Sequence, residues 1–131
     1  MTGDAVRWYE WSEEAFRKAQ AEDKPIVMDL VAPWSHGCRV MNKETYGDAA
    51  VIEALNRDYV PVRVDSDRRP DINDRYNLGG WPTTAFLTPN ADLLGGATYV
   101  AADQMRQLLV QLKVGYAANK HRLAEEIAKR D

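Results

Sequence analysis

Ile26-Val27-Met28-Asp29-Leu30-Val31 is an apolar run broken by a single acid, and Pro25 stands directly before it. Apolar residues without alternation over this length read as a strand buried on both faces, as in the centre of an α/β sheet. A lone carboxylate in such a strand is costly unless it is neutralised or hydrogen-bonded, so Asp29 asks for a partner or a task.

The patterns on either side supply helices for such a sheet. Val6 to Trp11 is a short strand-like start rich in Trp and Tyr. Ser12 reads as the N-cap of a helix whose first turn carries Glu13 and Glu14, with Ala15, Phe16 and Ala19 as its apolar stripe. That helix stops before Pro25. After the turn Ser35-His36-Gly37-Cys38, a second helix is expected from about Cys38 to Asn56, bending near Gly47, with Val51, Ile52 and Leu55 inward. Tyr59 to Val64 is the next strand, ending at Asp65. Pro61 in its middle donates no ladder bond and belongs at an edge or a bulge. Asp71 to Tyr76 is a short helix closed by Gly79-Gly80. Thr83 to Thr88 and Leu93 to Val100 form a hairpin about the turn at 89–92. A last helix begins near Ala102, with Met105, Leu108, Leu109, Leu112 and Tyr116 on one face. Strands alternating with helices predict parallel crossovers, and the closing hairpin adds an antiparallel edge. Residues 120–131 form a charged helical tail with Leu123 and Ile127 four residues apart, able to dock, pair with another chain or fray.

With 131 residues, 45% hydrophobic and 28% charged, the chain fits one globular domain, expected over 1–119 ahead of the tail. A net charge of −3 with scattered lysines and arginines argues against nucleic acid as a partner. The apolar stretches are too short for a membrane span, and with no basic segment and apolar run after Met1 to Asp4 no signal peptide is expected. One cysteine forms no internal disulfide, which suits a reducing cytoplasm. Oligomeric state is not fixed by any pattern.

The segment Met28 to Cys38 resembles the active-site segment of thioredoxins, in which an acid of the central strand precedes Trp-Cys-x-x-Cys. Asp29 and Ser35 have the spacing, Trp34 matches the tryptophan, and Cys38 matches the second cysteine. Gly79-Gly80-Trp81-Pro82-Thr83 is similar to the family's second signature, a cis-proline loop facing the cysteine pair. Within the superfamily the chain most resembles bacterial thioredoxin-like domains related to the spermatogenesis-associated thioredoxin-like family. The matching stretches are Glu22 to Pro25, Ser35 to Met41, Val64 to Asp71, Gly79 to Pro82 and Phe86 to Pro89. The resemblance covers about Trp8 to Leu112. It implies a thioredoxin fold: a central mixed sheet flanked by helices, with a closing β-hairpin and a C-terminal helix.

It also implies thiol–disulfide chemistry. In the family the first cysteine, at a helix N-terminus with a pKa of about 7 or below, attacks a substrate disulfide, and the second resolves the mixed disulfide. Here Ser35 occupies the attacking position, and a hydroxyl forms no disulfide. Ser35 is an excellent N-cap in its own right. Alternatively its hydroxyl donates to a thiolate on a bound partner, as in glutathione transferases with a Ser-x-x-Cys turn; a replaced cysteine is a third reading. Cys38 is either a buried small hydrophobe or a one-cysteine centre forming mixed disulfides with glutathione or a protein thiol. Asp29 is the matching acid that helps to deprotonate it, or a remnant held by local hydrogen bonds. Catalytic candidates are thus Cys38, Ser35 and Asp29. Trp34, His36, Gly37, Trp81 and Pro82 would form a platform on which an extended peptide adds backbone hydrogen bonds.

No metal is expected. His36 and Cys38, even with Asp29 or His121, fall short of a zinc set in a chain with one Cys and two His. Asp65, Asp67, Asp71 and Asp74 lack the glycine and terminal glutamate of an EF-hand and read as turn and cap residues. No phosphate-binding glycine loop is present, and no cofactor is expected. The competing functions are a thiol–disulfide oxidoreductase of reduced scope, acting on a protein, peptide or glutathione, and a non-catalytic binding module. A third is a domain of a larger assembly that makes contact through its tail.

Overall fold

The computed structural model describes residues 5–130, with side chains through 118. Four strands form a mixed sheet in the order β2-β1-β3-β4. Strand β1 (Ile26–Val31) runs parallel to β2 (Val60–Asp65) and antiparallel to β3 (Thr83–Leu87), and β3 pairs antiparallel with β4 (Leu93–Ala97). The apolar run is thus a central strand, buried along all but its last residue.

Alternation along the strands separates two cores. Ile26, Met28, Leu30, Val60, Val62, Val64, Ala85 and Leu87 pack on Ala15 and Ala19 of α1 (Glu13–Glu22). Ile72 and Tyr76 of α4 (Pro70–Tyr76) complete that side. On the opposite face Val27 and Phe86 meet Met41 of α2 (His36–Glu44) and Val51, Ile52 and Leu55 of α3 (Ala49–Asp58). Met105 and Leu109 of α5 (Ala102–Arg130) close this second core. Asp29 shares the parity of Val27, so its carboxyl belongs to the α2–α3–α5 side.

Four expectations need correction. The strand-like start is extended chain with one parallel bridge, Tyr9 to Val62, because the Tyr9 N–H and C=O reach only Pro61 O and Arg63 N. The long second helix is two helices: Asp48 caps α3 by accepting from Val51 N, and a Cβ at Gly47 would lie 2.2 Å from Lys43 O. A continuous helix through Gly47 is replaced by this tight junction. Strand β4 ends at Ala97 rather than Val100, and the short helix α4 starts at Pro70, whose fixed φ suits a first helical position. Pro61 is accommodated because β2 is an edge strand. Its carbonyl points outward to accept from Tyr9 N, so its missing N–H costs β1 no bond.

Helix α5 runs continuously across the expected boundary at 119/120. The side chains of 119–131, including His121, Leu123 and Ile127, lie outside the described residues, as does the segment Met1 to Asp4. Among the described residues no helix is long and apolar enough to cross a membrane.

Candidate functional site

Helix α2 begins just beyond the C-terminal end of the central strand β1. Ser35 is its N-cap, in extended conformation, and its hydroxyl accepts from Cys38 N at 3.3 Å. The same hydroxyl donates to Trp81 O at 3.3 Å, tying the helix start to the loop before β3. The Trp81–Pro82 peptide bond in that loop is cis. Asn77 organises the loop by accepting from Gly79 N (2.7 Å) and Gly80 N (3.0 Å), and Gly79 has φ of +113°, a conformation open to glycine. A Cβ on Gly37 would lie 3.4 Å from both Pro82 Cδ and Trp81 O, so the first turn of α2 rests against the proline loop.

Trp34 and Trp81 meet edge to face with ring centroids 5.2 Å apart. Trp34 is 61% exposed and Trp81 36% exposed, so the pair is an aromatic surface beside Pro82, which is itself buried. Trp81 Nε1 donates to Asn73 Oδ1 at 3.2 Å, fixing that indole. His36 is exposed in the first turn of α2. Cys38 is a free thiol on the inner side of that turn, 8% exposed, and Ser35 is 7% exposed. The candidates Trp34, Ser35, Gly37, Cys38, Trp81 and Pro82 therefore converge at one end of the sheet. Asp29 sits further back, in mid-strand.

The surroundings of Asp29 hold residues that sequence reasoning missed. Arg63 is its cross-strand partner in the parallel register and donates from Nε to Asp29 Oδ2 at 2.9 Å. The guanidinium also donates from Nη2 to Asn42 Oδ1 at 2.6 Å. It lies 4.1 Å above the Trp8 ring and 5.7 Å from that of Tyr46. Asp29 Oδ1 and the Tyr46 hydroxyl have no hydrogen-bond partner among the described residues. Burial pushes the Asp29 carboxyl up to about 6, against the opposing pull of Arg63. Burial, followed by the charge of Asp29, holds the Tyr46 hydroxyl well above the usual phenol range. Cys38 adds a smaller push in the same direction, so that hydroxyl lies within electrostatic reach of both Asp29 and the thiol. A signal for Arg63 exists in the sequence, as the one charged residue inside Val60 to Val64. Its pairing with Asp29 is set by long-range register.

Among the described residues no group of three His, Cys, Asp or Glu side chains converges as a metal site requires. Asp65 and Asp71 serve local structure: Asp65 Oδ1 accepts from Asp67 N at 2.9 Å, and Asp71 pairs with Arg69.

A four-stranded mixed sheet between helices, with a helix N-terminus facing a cis-proline loop, defines a thioredoxin-fold domain. A family model described as Thioredox_DsbH, protein of unknown function, DUF255, matches residues 1–130, and the chain belongs to that family. It is 33% identical over 134 residues to human spermatogenesis-associated protein 20, a match covering 92% of this chain and 17% of the human protein. The chain thus spans about a sixth of that relative's length. Among solved structures it is similar to a thioredoxin from Thermus thermophilus, with a TM-score of 0.74 and 26% identity over 89% of this chain and 95% of that one. A DsbH oxidoreductase has the same fold, with a TM-score of 0.74 and 16% identity over 86% of this chain and 88% of the other.

Proposed function

We propose that this domain carries out thiol–disulfide exchange with a single thiol, forming a mixed disulfide between Cys38 and a protein, peptide or glutathione partner. The observation that carries the reading is Asp29. A carboxyl poised at about 6 lies on the sheet face covered by α2, the helix that bears the one cysteine. In this reading its carboxylate receives the Cys38 proton at neutral pH by way of water, through the Oδ1 that has no protein partner among the described residues. The Cys38 thiolate attacks one sulfur of the partner disulfide, a new S–S bond forms, and the other sulfur leaves as a thiolate that is then protonated. A second external thiol reverses the step and releases Cys38. Ser35 does not exchange. It orients the turn through Cys38 N and Trp81 O. The oxidoreductases among similar proteins support the reaction class, and the reading assigns the domain to a reducing compartment such as the cytoplasm.

A second reading, a binding module without catalysis, is favoured by the exposed Trp34–Trp81 pair beside Pro82 and by the small exposed area of Cys38. One experiment separates the two. The folded protein is incubated with oxidised glutathione at pH 7 and weighed by mass spectrometry, alongside the pH dependence of Cys38 alkylation by iodoacetamide. Exchange predicts a single glutathione adduct, lost in Cys38→Ser and slowed at least tenfold in Asp29→Asn. An adduct that forms only in denaturant overturns exchange and leaves the binding module.

A further inference from the structure

The N-terminal segment is not a strand, yet it is tied firmly to the edge of the sheet. Tyr9 N donates to Pro61 O at 2.9 Å, and Tyr9 O accepts from Arg63 N at 3.0 Å. Asn56 holds the segment from the other side, accepting from Arg7 N at 2.9 Å and donating to Ala5 O at 3.0 Å. These bonds fix Trp8 between them. Its ring then meets Tyr46 edge to face, with centroids 4.8 Å apart, and the Arg63 guanidinium lies 4.1 Å over its face. Arg63 is a long side chain at the rim of the fold, and its rotamers would otherwise be open to solvent. The Trp8 face, the Tyr46 ring and Asn42 Oδ1 leave it the one orientation in which Nε points at Asp29 Oδ2.

We propose that Trp8 and Tyr46 are positioning residues: they clamp the Arg63 guanidinium against Asp29 and thereby set how readily Asp29 takes up a proton. The inference deepens the exchange reading and rests on it for its functional meaning, since it concerns the group that would receive the Cys38 proton. Arg63, from β2, is the charged group acting on Asp29. Tyr46, following α2, contributes a neutral hydroxyl there. Cys38, from α2, and Thr84, from β3, are felt by that same hydroxyl. A guanidinium freed from its aromatic clamp is shared with water, so the charged form of Asp29 loses support.

The test follows the Asp29 carboxyl carbon by NMR as a function of pH in the full folded chain. Trp8→Leu raises the titration midpoint by about half a pH unit, the equivalent of an exposed cation–π contact. Trp8→Phe, which keeps an aromatic face, restores most of the wild-type midpoint. In an Arg63→Gln background, Trp8→Leu moves the midpoint no further. Fluorinated tryptophan incorporated into the otherwise unchanged protein weakens the ring's negative face without changing its packing, and gives a smaller upward shift even if Trp8→Leu does not fold. An unmoved or lowered midpoint with fluorinated tryptophan, or equal shifts with and without Arg63, overturns the proposal. The readout does not involve Cys38. Failure of Cys38 to exchange therefore counts against the exchange reading alone.

Discussion

On one face of the sheet, β1, β2 and β3 present Ile26, Met28, Leu30, Val60, Val62, Val64, Ala85 and Leu87, all apolar, to α1 and α4. On the other face the same three strands carry a polar row. Asp29 stands opposite Arg63 in the parallel ladder and opposite Thr84 in the antiparallel one. Val27 and Phe86 flank this row and join the second core under α2, α3 and α5. Backbone pairing is shared by both faces, so the difference lies in the side chains alone. The apolar face is a solution to folding. The polar row sits where apolar residues would pack as well, and a buried carboxyl with one unpartnered oxygen is costly for stability. In the proposed exchange, its position on the side where α2 brings Cys38 is what would give the row a chemical meaning.

If the faces divide in this way, a cut in the apolar one damages the fold without touching titration. Leu30 is fully buried among Ala15, Met28 and Val62. Leu30→Ala is expected to cost about 2–5 kcal/mol in urea unfolding, equally at pH 4.5 and pH 7. A loss that grows with pH would mean the faces are not independent.

The polar row gives the opposite signature. Asp29 titrates at about 6 in the folded chain against an ordinary value of 3.8. Below about pH 4 both folded and unfolded states hold this proton; between about 4 and 6 only the folded state does. Stability contributed by protonated Asp29 is therefore lost as pH rises through that window, and is level above it. The loss is on the order of 3 kcal/mol. Subtracting the stability curve of Asp29→Asn from that of the wild type isolates it. The difference should fall from pH 4 to 6, and parallel curves would show that Asp29 titrates alike in both states.

How much of this contrast the sequence displays depends on the range of the interactions. The unbroken apolar run already places Asp29 in a central strand, but with both parities apolar the face it occupies is decided only by which helices pack on Val27 and on Met28. Trp34, Ser35 and Cys38 are spaced locally, and their loop partners Trp81 and Pro82 stand in one short signature. Arg63, Tyr46 and Trp8 are different. Each reaches Asp29 or its partner by a contact spanning many residues, and no local pattern encodes a ladder register or a cation–π stack. The N-terminal segment misleads for the same reason: Val6 to Trp11 has strand-like composition, but only Tyr9 finds a ladder. Gly47 hides a helix break because what the junction requires, a backbone packed so close to Lys43 O that a Cβ would collide with it, is three-dimensional.

The smallest predicted effect asks whether the polar row depends on the helix above it. Ser35 caps α2 through Cys38 N and bonds Trp81 O, yet makes no contact with Arg63, Asn42 or Asp29 among its hydrogen bonds. Ser35→Ala removes one cap and one tie to the proline loop, and is expected to cost about 1 kcal/mol. The pH-dependent difference attributable to Asp29 should persist at full size in that variant, because its causes are burial and Arg63. Were the fall between pH 4 and 6 to shrink with the cap, water would be reaching Asp29 through a loosened α2. The row would then owe its burial to the helix start rather than to the sheet.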